Sequence, residues 1–160
     1  MKNILIIIFI LTQTIVFGQN YIKKNIEVFN IEYPKEWELK VPGGFGESFQ
    51  LSIAEDKGYG HITGVIEKKE KSFLEDVNKT REDFFSSGND KEISFTKINE
   101  TTYKISSETI DLFDNSTIYR DIYLYDYKNS ILEVFVFYND KSKTYFTKDA
   151  LHFINSLKFK

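Results

Sequence analysis

Two segments near the C-terminal end, residues 118–126 and 130–138, carry the strongest pattern of hydrophobic positions in the chain. Both are rich in β-branched and aromatic residues, which pack better on a pleated sheet than on a helix. The pattern predicts two long strands. Residues 127–129 between them are predicted to form a three-residue hairpin loop, because Asn129 tolerates the left-handed conformation that such a loop needs at its last position.

The pairing of these two strands decides which side chains share a face. If Asp126 lies opposite Ser130, residues of the same parity share a face. One face is then aliphatic and contains Ile122, Leu124, Leu132, Val134 and Val136. The other is aromatic with acids and contains Tyr119, Asp121, Tyr123, Tyr125, Ile131, Glu133, Phe135 and Phe137. Both faces are too apolar to lie fully in water, so the hairpin is expected at the centre of a sheet and covered on both sides.

Alternating patterns elsewhere predict further strands. They cover residues 25–33, 37–41, 47–54, 61–68, 91–98 and 102–112. The first two are expected to form a pair joined by a turn at residues 33–36, with Pro34 in its second position. Short polar links between the later strands favour antiparallel pairing in a meander.

Two segments have helical periodicity. In the first, Ser72 and Glu75 have the spacing of a capping box, and Gly88 is expected to close the helix. Its stripe is predicted to contain Leu74, Val77, Arg81, Phe84 and Phe85. The second, about residues 142–157, presents Phe146, Ala150, Phe153, Ile154 and Leu157. These elements predict an α+β fold: an antiparallel sheet of about seven or eight strands with a helix on one or both faces.

The N-terminus predicts export. Lys2 precedes an unbroken apolar run at residues 4–11, and residues 1–18 are typical of a secretory signal peptide. A membrane anchor is the alternative, but a span needs about 20 apolar residues and the polar residues 12–14 interrupt this one. Residues 19–160 are then expected to form a single domain in the periplasm or outside the cell.

Charge and cysteine content narrow the functional classes. The chain has 21 basic and 24 acidic residues, and removal of residues 1–18 leaves 20 against 24. Without a basic excess, neither nucleic acid nor an anionic membrane is an expected partner. The chain has no cysteine, so no disulfide, thiol nucleophile or lipid-modified cysteine can form, and no membrane anchoring is expected after signal removal.

A short corner carries a resemblance to a known family. The corner Tyr33-Pro34-Lys35-Glu36-Trp37 after a Phe29-x-Ile31-x-Tyr33 strand, together with the closing segment 154–159, resembles proteins with the PsbP-like fold, a superfamily that includes exported proteins such as PsbP and DcrB. The resemblance extends in element order over about residues 26–159. It implies a PsbP-like α/β/α sandwich for residues 19–160. It implies no particular activity, since members share an architecture rather than a reaction.

No catalytic or cofactor motif is present. The two histidines, His61 and His152, lack the spacing of metal ligands. The glycine-rich run at residues 43–46 is not followed by the Lys-Ser/Thr pair of a phosphate-binding loop. No Gly-x-Ser-x-Gly motif occurs. Neither an enzyme nor a cofactor is therefore expected.

The aromatic content of 16% remains as a functional signal. Tyr119, Tyr123 and Tyr125 alternate on the same face as Asp121 and Glu133, a composition favoured at protein interfaces. This predicts a protein-contact face. The alternative is that a helix covers this face and the tyrosines reach polar partners at its edge.

Phe45, in the glycine-rich loop, is a second candidate contact because exposed loops often bind partners. These features predict a noncatalytic exported binding or accessory protein that docks on another envelope or secreted protein. The alternative is an enzyme or small-ligand-binding protein with a cleft beside a helix. On the first hypothesis, replacing Tyr123 and Tyr125 by alanine weakens partner capture more than stability.

Overall fold

The computed structural model describes residues 21–26, 28–43, 47–53, 58–86 and 88–160. The predicted signal peptide, residues 1–18, and the candidate contact Phe45 lie outside the described residues. The first part of the described chain contains β1 (Tyr21–Ile26), β2 (Phe29–Pro34), β3 (Glu38–Lys40), β4 (Phe49–Ser52), β5 (Gly60–Lys68) and helix α1 (Phe73–Phe85). The second part contains β6 (Lys91–Asn99), β7 (Thr102–Ile110), β8 (Thr117–Tyr127), β9 (Ser130–Asn139), helix α2 (Lys143–Ser156) and β10 (Lys158–Phe159).

A seven-stranded antiparallel sheet forms the middle layer. Its strand order is β3-β4-β5-β9-β8-β7-β6, so the hairpin β8–β9 is central as its composition predicts. Helix α1 contributes to a hydrophobic cluster on one face and helix α2 to a larger one on the other. The predicted α+β class, strand number and α/β/α arrangement are confirmed.

The opening strands do not form the predicted pair. Strand β2 pairs with β1 and β10 in a separate three-stranded sheet, whereas β3 pairs with β4. The amide of Trp37 donates to the carbonyl of Pro34 at 3.0 Å, so proline is the first residue of the turn rather than its second. The indole of Trp37 stacks on Phe146 of α2, with ring centroids 5.0 Å apart. This contact with a distant element is absent from the local pattern.

The register of the central hairpin differs from the prediction by one residue. Tyr127 lies opposite Ser130, so the loop is only Lys128-Asn129, and Lys128 has the positive φ of 53°. Tyr127 remains in the strand because its ring stacks on Phe159 at 4.6 Å and its hydroxyl donates to the Lys160 carbonyl at 2.7 Å. A slip of one residue changes every facing pair.

Odd residues of β8 therefore share a face with even residues of β9. What we call the α2 face includes Tyr119, Asp121, Tyr123, Tyr125, Leu132, Val134 and Val136. What we call the α1 face includes Ile122, Leu124, Ile131, Glu133, Phe135 and Phe137. Each face mixes aliphatic and aromatic residues, so the predicted separation into an aliphatic and an aromatic face is wrong.

Helix α1 begins with the predicted capping box. The Glu75 amide donates to the Ser72 hydroxyl and the Ser72 amide donates to the Glu75 carboxylate. The predicted apolar stripe is only partly right, because Leu74 is 50% exposed and Val77 is fully buried. The chain leaves the helix at Ser86, and the amide of Gly88 donates to the carbonyl of Phe85.

Helix α2 buries the stripe that its sequence predicts. Phe146 and Phe153 are fully buried and Ala150 nearly so. The ring of Phe153 lies 5.7 Å from that of Phe49. Phe49 in turn lies over Gly64 on the neighbouring strand, where an added Cβ would stand only 2.0 Å from the ring. The largest hydrophobic cluster therefore joins α2, the main sheet and the three-stranded sheet.

Candidate binding surface at the open end of the α2 face

Four of the five predicted contact residues share one face of the sheet. Tyr119, Asp121, Tyr123 and Tyr125 all lie on the α2 face. Glu133 lies on the α1 face, because the hairpin register is one residue away from the predicted one. The Glu133 carboxylate is therefore not on the same face as the other four predicted contact residues.

Two of these tyrosines belong to the core. Tyr123 is only 8% exposed and Tyr125 packs against the same hydrophobic cluster, with the Phe159 ring 5.9 Å away. Burial raises the pKa of both hydroxyls above the usual value. For Tyr123 and Tyr125 the structure favours the alternative interpretation, in which other elements cover the face.

Beyond these residues the face opens into a groove beside α2. The groove has a volume of about 230 Å³ and is lined by Lys104, Asp121, Tyr123, Tyr138, Leu151 and Ile154 among others.

 A second groove lies beside α1 on the opposite face of the sheet and has a volume of about 330 Å³. In the α2 groove, the Lys104 ammonium lies 3.0 Å from the Asp121 carboxylate and 5.3 Å from the centroid of the Tyr123 ring. Burial acts to lower the pKa of Lys104, but Asp121 and Tyr123 outweigh it, so the pKa is raised and the ammonium stays charged.

A pair of stacked tyrosines borders this groove. The rings of Tyr119 and Tyr138 are 5.2 Å apart, and the Lys143 ammonium lies 3.9 Å from the Tyr119 ring centroid. The Tyr119 hydroxyl donates to Asp140 at 2.9 Å. Burial, with the nearby charge of Asp121, raises the pKa of Tyr138 to about 12. Tyr138 therefore stays neutral at physiological pH.

The turn between β7 and β8 displays two apolar side chains. Strand β7 ends at Ile110 rather than at the predicted residue 112. Leu112 is 91% exposed and Phe113 is 99% exposed. Single exposed apolar residues are ordinary on protein surfaces, but two large neighbours at a hairpin tip form a distinct apolar contact point.

Hydrogen bonds within the turn order the backbone that carries these two side chains. The Phe113 amide donates to the Asp111 carboxylate at 2.8 Å, and the Ser116 amide donates to the Asp114 carboxylate at 2.9 Å. Asn115 adopts a φ of 57°, a left-handed conformation that asparagine tolerates. Hydrogen bonds from Ser116 and the nearby Lys141 ammonium lower the pKa of Asp114 to about 2. The turn is thus ordered by its own polar groups.

The tip and the stacked tyrosines form one continuous surface. Asp140 accepts hydrogen bonds from the Thr117 amide at the base of the tip and from the Tyr119 hydroxyl. Tyr119 stacks on Tyr138, which also lines the α2 groove. We call Leu112, Phe113, Tyr119, Tyr138 and Leu151 the docking surface. The sequence signal for its tip is the apolar pair between Asp111 and Asp114 in an otherwise polar turn.

The two histidines lie in separate environments. His61 stacks on Phe137 of the α1 face at 4.6 Å, and burial lowers its pKa. His152, on α2, stacks on Tyr21 at 3.8 Å and lies 3.4 Å from the Glu32 carboxylate. In the described parts of the chain, no three histidine, cysteine or acidic residues are arranged to hold a metal ion. No helix within those parts is long and apolar enough to cross a membrane.

Comparison with known proteins gives similarity in structure only. No family model and no curated protein matches the sequence. A crystal structure of LpqN of Mycobacterium tuberculosis, described as involved in cell envelope biogenesis, is similar with a TM-score of 0.61 and 8% identity, over 90% of this chain and 87% of that one. The solution structure of cyanobacterial PsbP (CyanoP) from Synechocystis sp. PCC 6803 is similar with a TM-score of 0.59 and 8% identity, over 90% and 95% of the two chains.

A third similar structure is a longer protein. It is a crystal structure from Bacteroides thetaiotaomicron VPI-5482, with a TM-score of 0.56 and 15% identity over 88% of this chain. This chain spans about half, 48%, of that protein. Identities this low are informative about fold alone. The resemblance expected from the corner at residues 33–37 is confirmed, and the chain has a PsbP-like fold.

Proposed function

We propose that the protein is an exported, noncatalytic binding protein that docks on another envelope or secreted protein through the docking surface. The observation that carries this proposal is the exposure of Leu112 and Phe113 on an ordered turn. A turn whose backbone is already ordered loses less conformational entropy on binding than a flexible loop would. Aromatic anchors of this kind supply most of the binding energy at many interfaces.

The charges around the tip favour a protein over a bilayer as the partner. Asp111, Asp114 and Asp140 surround it with Lys141 and Lys143, and Lys141 is paired with Asp114 at 3.1 Å. There is no positive surplus of the kind that draws a protein to anionic lipid. An apolar pocket on a protein matches the tip better.

Two further observations support an extracytoplasmic setting. Residues 1–18 have the pattern of a secretory signal peptide. The structurally similar LpqN is described as involved in cell envelope biogenesis. The noncatalytic part of the proposal is supported by the separate placement of the two histidines, which leaves neither with the other as a partner.

Site-specific photo-crosslinking in the producing cells tests the proposal. Benzoylphenylalanine at position 113 is expected to give one dominant crosslinked protein, and Leu112→Ser with Phe113→Ser is expected to abolish its capture by the tagged protein. The double variant should unfold within about 0.5 kcal/mol of the wild type, because both side chains are solvent-exposed. Binding and stability are therefore separable at this site.

The matched control places the same changes at other exposed apolar positions. Leu74→Ser with Ile93→Ser alters residues that are 50% and 53% exposed and lie outside the docking surface. This variant should capture the partner as the wild type does. Equal loss in both double variants would contradict a specific surface. Flotation of the protein with vesicles of phosphatidylethanolamine and phosphatidylglycerol, lost on changing Leu112 and Phe113, would instead identify the tip as a membrane anchor and overturn the proposal.

A further inference from the structure

The groove beside α1 is built from two facing rows of side chains. On the helix, Asp76, Thr80 and Phe84 follow one another at intervals of four residues and so lie on one side. On β9, Ile131, Glu133 and Phe135 alternate with residues of the other face. Each row carries a carboxylate and an aromatic ring. The groove lies on the face of the sheet opposite the docking surface.

Asp76 is the unusual residue of this groove. It is 9% exposed, and one of its carboxylate oxygens, Oδ2, is buried without a hydrogen-bond partner among the described residues. Nearly all buried polar atoms in folded proteins have a partner, and a buried charge without one is costly. A buried carboxylate oxygen that borders a groove is therefore suited to a cationic ligand.

A second carboxylate lies close to Asp76. Glu133 accepts a hydrogen bond from the Thr80 hydroxyl at 2.7 Å, which fixes its side chain beside the helix. Burial raises the pKa of Glu133, and the charges of Glu67 and Asp76 raise it further. The carboxylates of Glu67, Asp76 and Glu133 therefore lie near one another in this groove.

The rim adds to the negative charge of the groove. Its lining contains five acidic residues and two lysines. One of the lysines, Lys79, is held 3.3 Å from Glu70 at the exposed edge. Because Lys79 pairs with Glu70 at the rim, it does not occupy the inner carboxylates of Asp76 and Glu133, which are available to a ligand.

We propose that this groove binds a primary ammonium group carried on an aliphatic stem. The ammonium would lie between Asp76 and Glu133, and the stem would lie against Phe84 and Phe135. The rings distinguish this ligand from a metal ion, because an ion would use the carboxylates and leave the apolar lining unoccupied. Such an ammonium can belong to a free diamine or to a lysine side chain of a peptide.

Titration followed by NMR distinguishes these sources. The probes are 1,5-diaminopentane, Nα-acetyl-lysine amide and, as an uncharged control, 1,5-pentanediol. We expect saturable shifts of the Thr80 and Phe135 amides with a dissociation constant of about 1 mM or lower for an ammonium probe. A response to the diamine alone supports a free amine ligand, and a response to both amines supports a lysine side chain as well.

Charge-removing variants test the role of Asp76. Asp76→Asn preserves the shape of the side chain and should weaken binding at least about tenfold. Asp83→Asn, at an exposed position of the same groove, is the matched control and should change binding less than about twofold, because an exposed charge is screened by solvent. If Asp76→Asn does not fold by circular dichroism, Glu133→Gln replaces it, since glutamine can still accept the Thr80 hydrogen bond.

The proposal is overturned if neither amine gives saturable shifts, if pentanediol binds as well, or if the Asp76 and Asp83 variants bind equally. A saturable response of the same amides to Mg²⁺ or Ca²⁺ that the amines do not compete with would also overturn it. The Leu112→Ser, Phe113→Ser variant should bind the amine with unchanged affinity. The result therefore does not depend on the docking surface on the other face.

Discussion

Helices α1 and α2 lie on opposite faces of one sheet and cover them differently. Helix α2 buries only Phe146, Ala150 and Phe153 fully or nearly so, and all three are apolar. Helix α1 buries Val77 together with the carboxylate of Asp76. Each helix borders a groove on its face. Of the grooves lined by Asp76 and by Lys104, only the first contains, among the described residues, a buried carboxylate oxygen without a hydrogen-bond partner.

Helix α2 therefore mainly stabilises the fold, whereas helix α1 stabilises the fold and also forms one side of a candidate site. The α2 side joins two sheets through the large cluster that contains Phe29, Phe49 and Phe153. The α1 side rests on a smaller cluster around Val77, Ile105 and Ile122. We therefore expect substitutions under α2 to act mainly on folding and substitutions along α1 to divide between folding and binding.

The largest expected effect is at the covered tyrosines. Tyr123→Ala with Tyr125→Ala should destabilise the fold by about 5 kcal/mol, because each removes a large side chain from the α2 cluster. The measurement is urea unfolding followed by circular dichroism. Tyr123→Phe with Tyr125→Phe is the control, since it preserves ring packing. A folded alanine variant with near wild-type stability would contradict a core role for Tyr123 and Tyr125 and favour their prediction as contact residues.

A single substitution under each helix sharpens the comparison. Phe153→Ala should cost about 4 kcal/mol and Val77→Ala about 2 kcal/mol, in proportion to the buried volume that each change removes. The free energies come from denaturant unfolding of both variants under the same conditions. Equal costs would show that the two covers contribute alike.

A smaller effect is expected at the start of α1. Ser72→Ala removes the hydroxyl that accepts a hydrogen bond from the Glu75 amide. It should lower the free energy of unfolding by about 1 kcal/mol. Thermal unfolding monitored at 222 nm measures it. The control Ser86→Ala lies at the other end of the helix, where the hydroxyl donates to the Asp83 carbonyl. A larger loss at Ser86 than at Ser72 would contradict the importance of the capping box.

The smallest effects are opposite pH dependences on the two sides. The pKa of Glu133 is raised above 4.5, so the stability associated with its protonated form is present below that value and is lost as pH rises through the raised pKa. Glu133→Gln should match the wild type at acidic pH and exceed it near pH 7. Melting temperatures measured from pH 3 to 7 test this.

The acid at the docking tip should behave in the opposite way. The pKa of Asp114 is lowered from 3.8 to about 2, so its contribution is present above 3.8 and is lost as pH falls towards 2. Asp114→Asn should therefore be less stable than the wild type near pH 7 and converge with it in acid. A pH-independent difference in melting temperature would show that the charge of Asp114 is not what orders the turn.

Local features of the fold were predictable because their causes are local. The capping box at Ser72 and Glu75 and the stripe of α2 involve residues three or four apart, and the structure confirms both. Alternation in residues 118–138 predicts two central strands, which the structure also contains. The prediction of Leu74 in the buried stripe of α1 was wrong, because periodicity allows several rotations of a helix and packing selects one.

The candidate sites were less predictable because they depend on distant contacts. Four of the five predicted contact residues share a face, but Tyr123 is buried and Tyr125 packs against Phe159 near the C-terminal end of the chain. The alternating pattern places Leu112 at the end of a predicted strand and does not indicate that Leu112 and Phe113 are exposed. Their exposure follows from where the tip stands relative to the rest of the molecule.

By itself the sequence determined the two helices, the two central strands, the α+β class and the absence of cysteine chemistry, since each depends on composition or on spacing along the chain. Only the tertiary structure decided the register of β8 and β9, because Phe159 and Lys160 hold Tyr127 in its strand from more than thirty residues away. That one-residue choice moved Glu133 from the docking side to the groove beside α1. Side-chain alternation gives two faces, but contacts distant in sequence decide which residues of one strand share a face with those of the next.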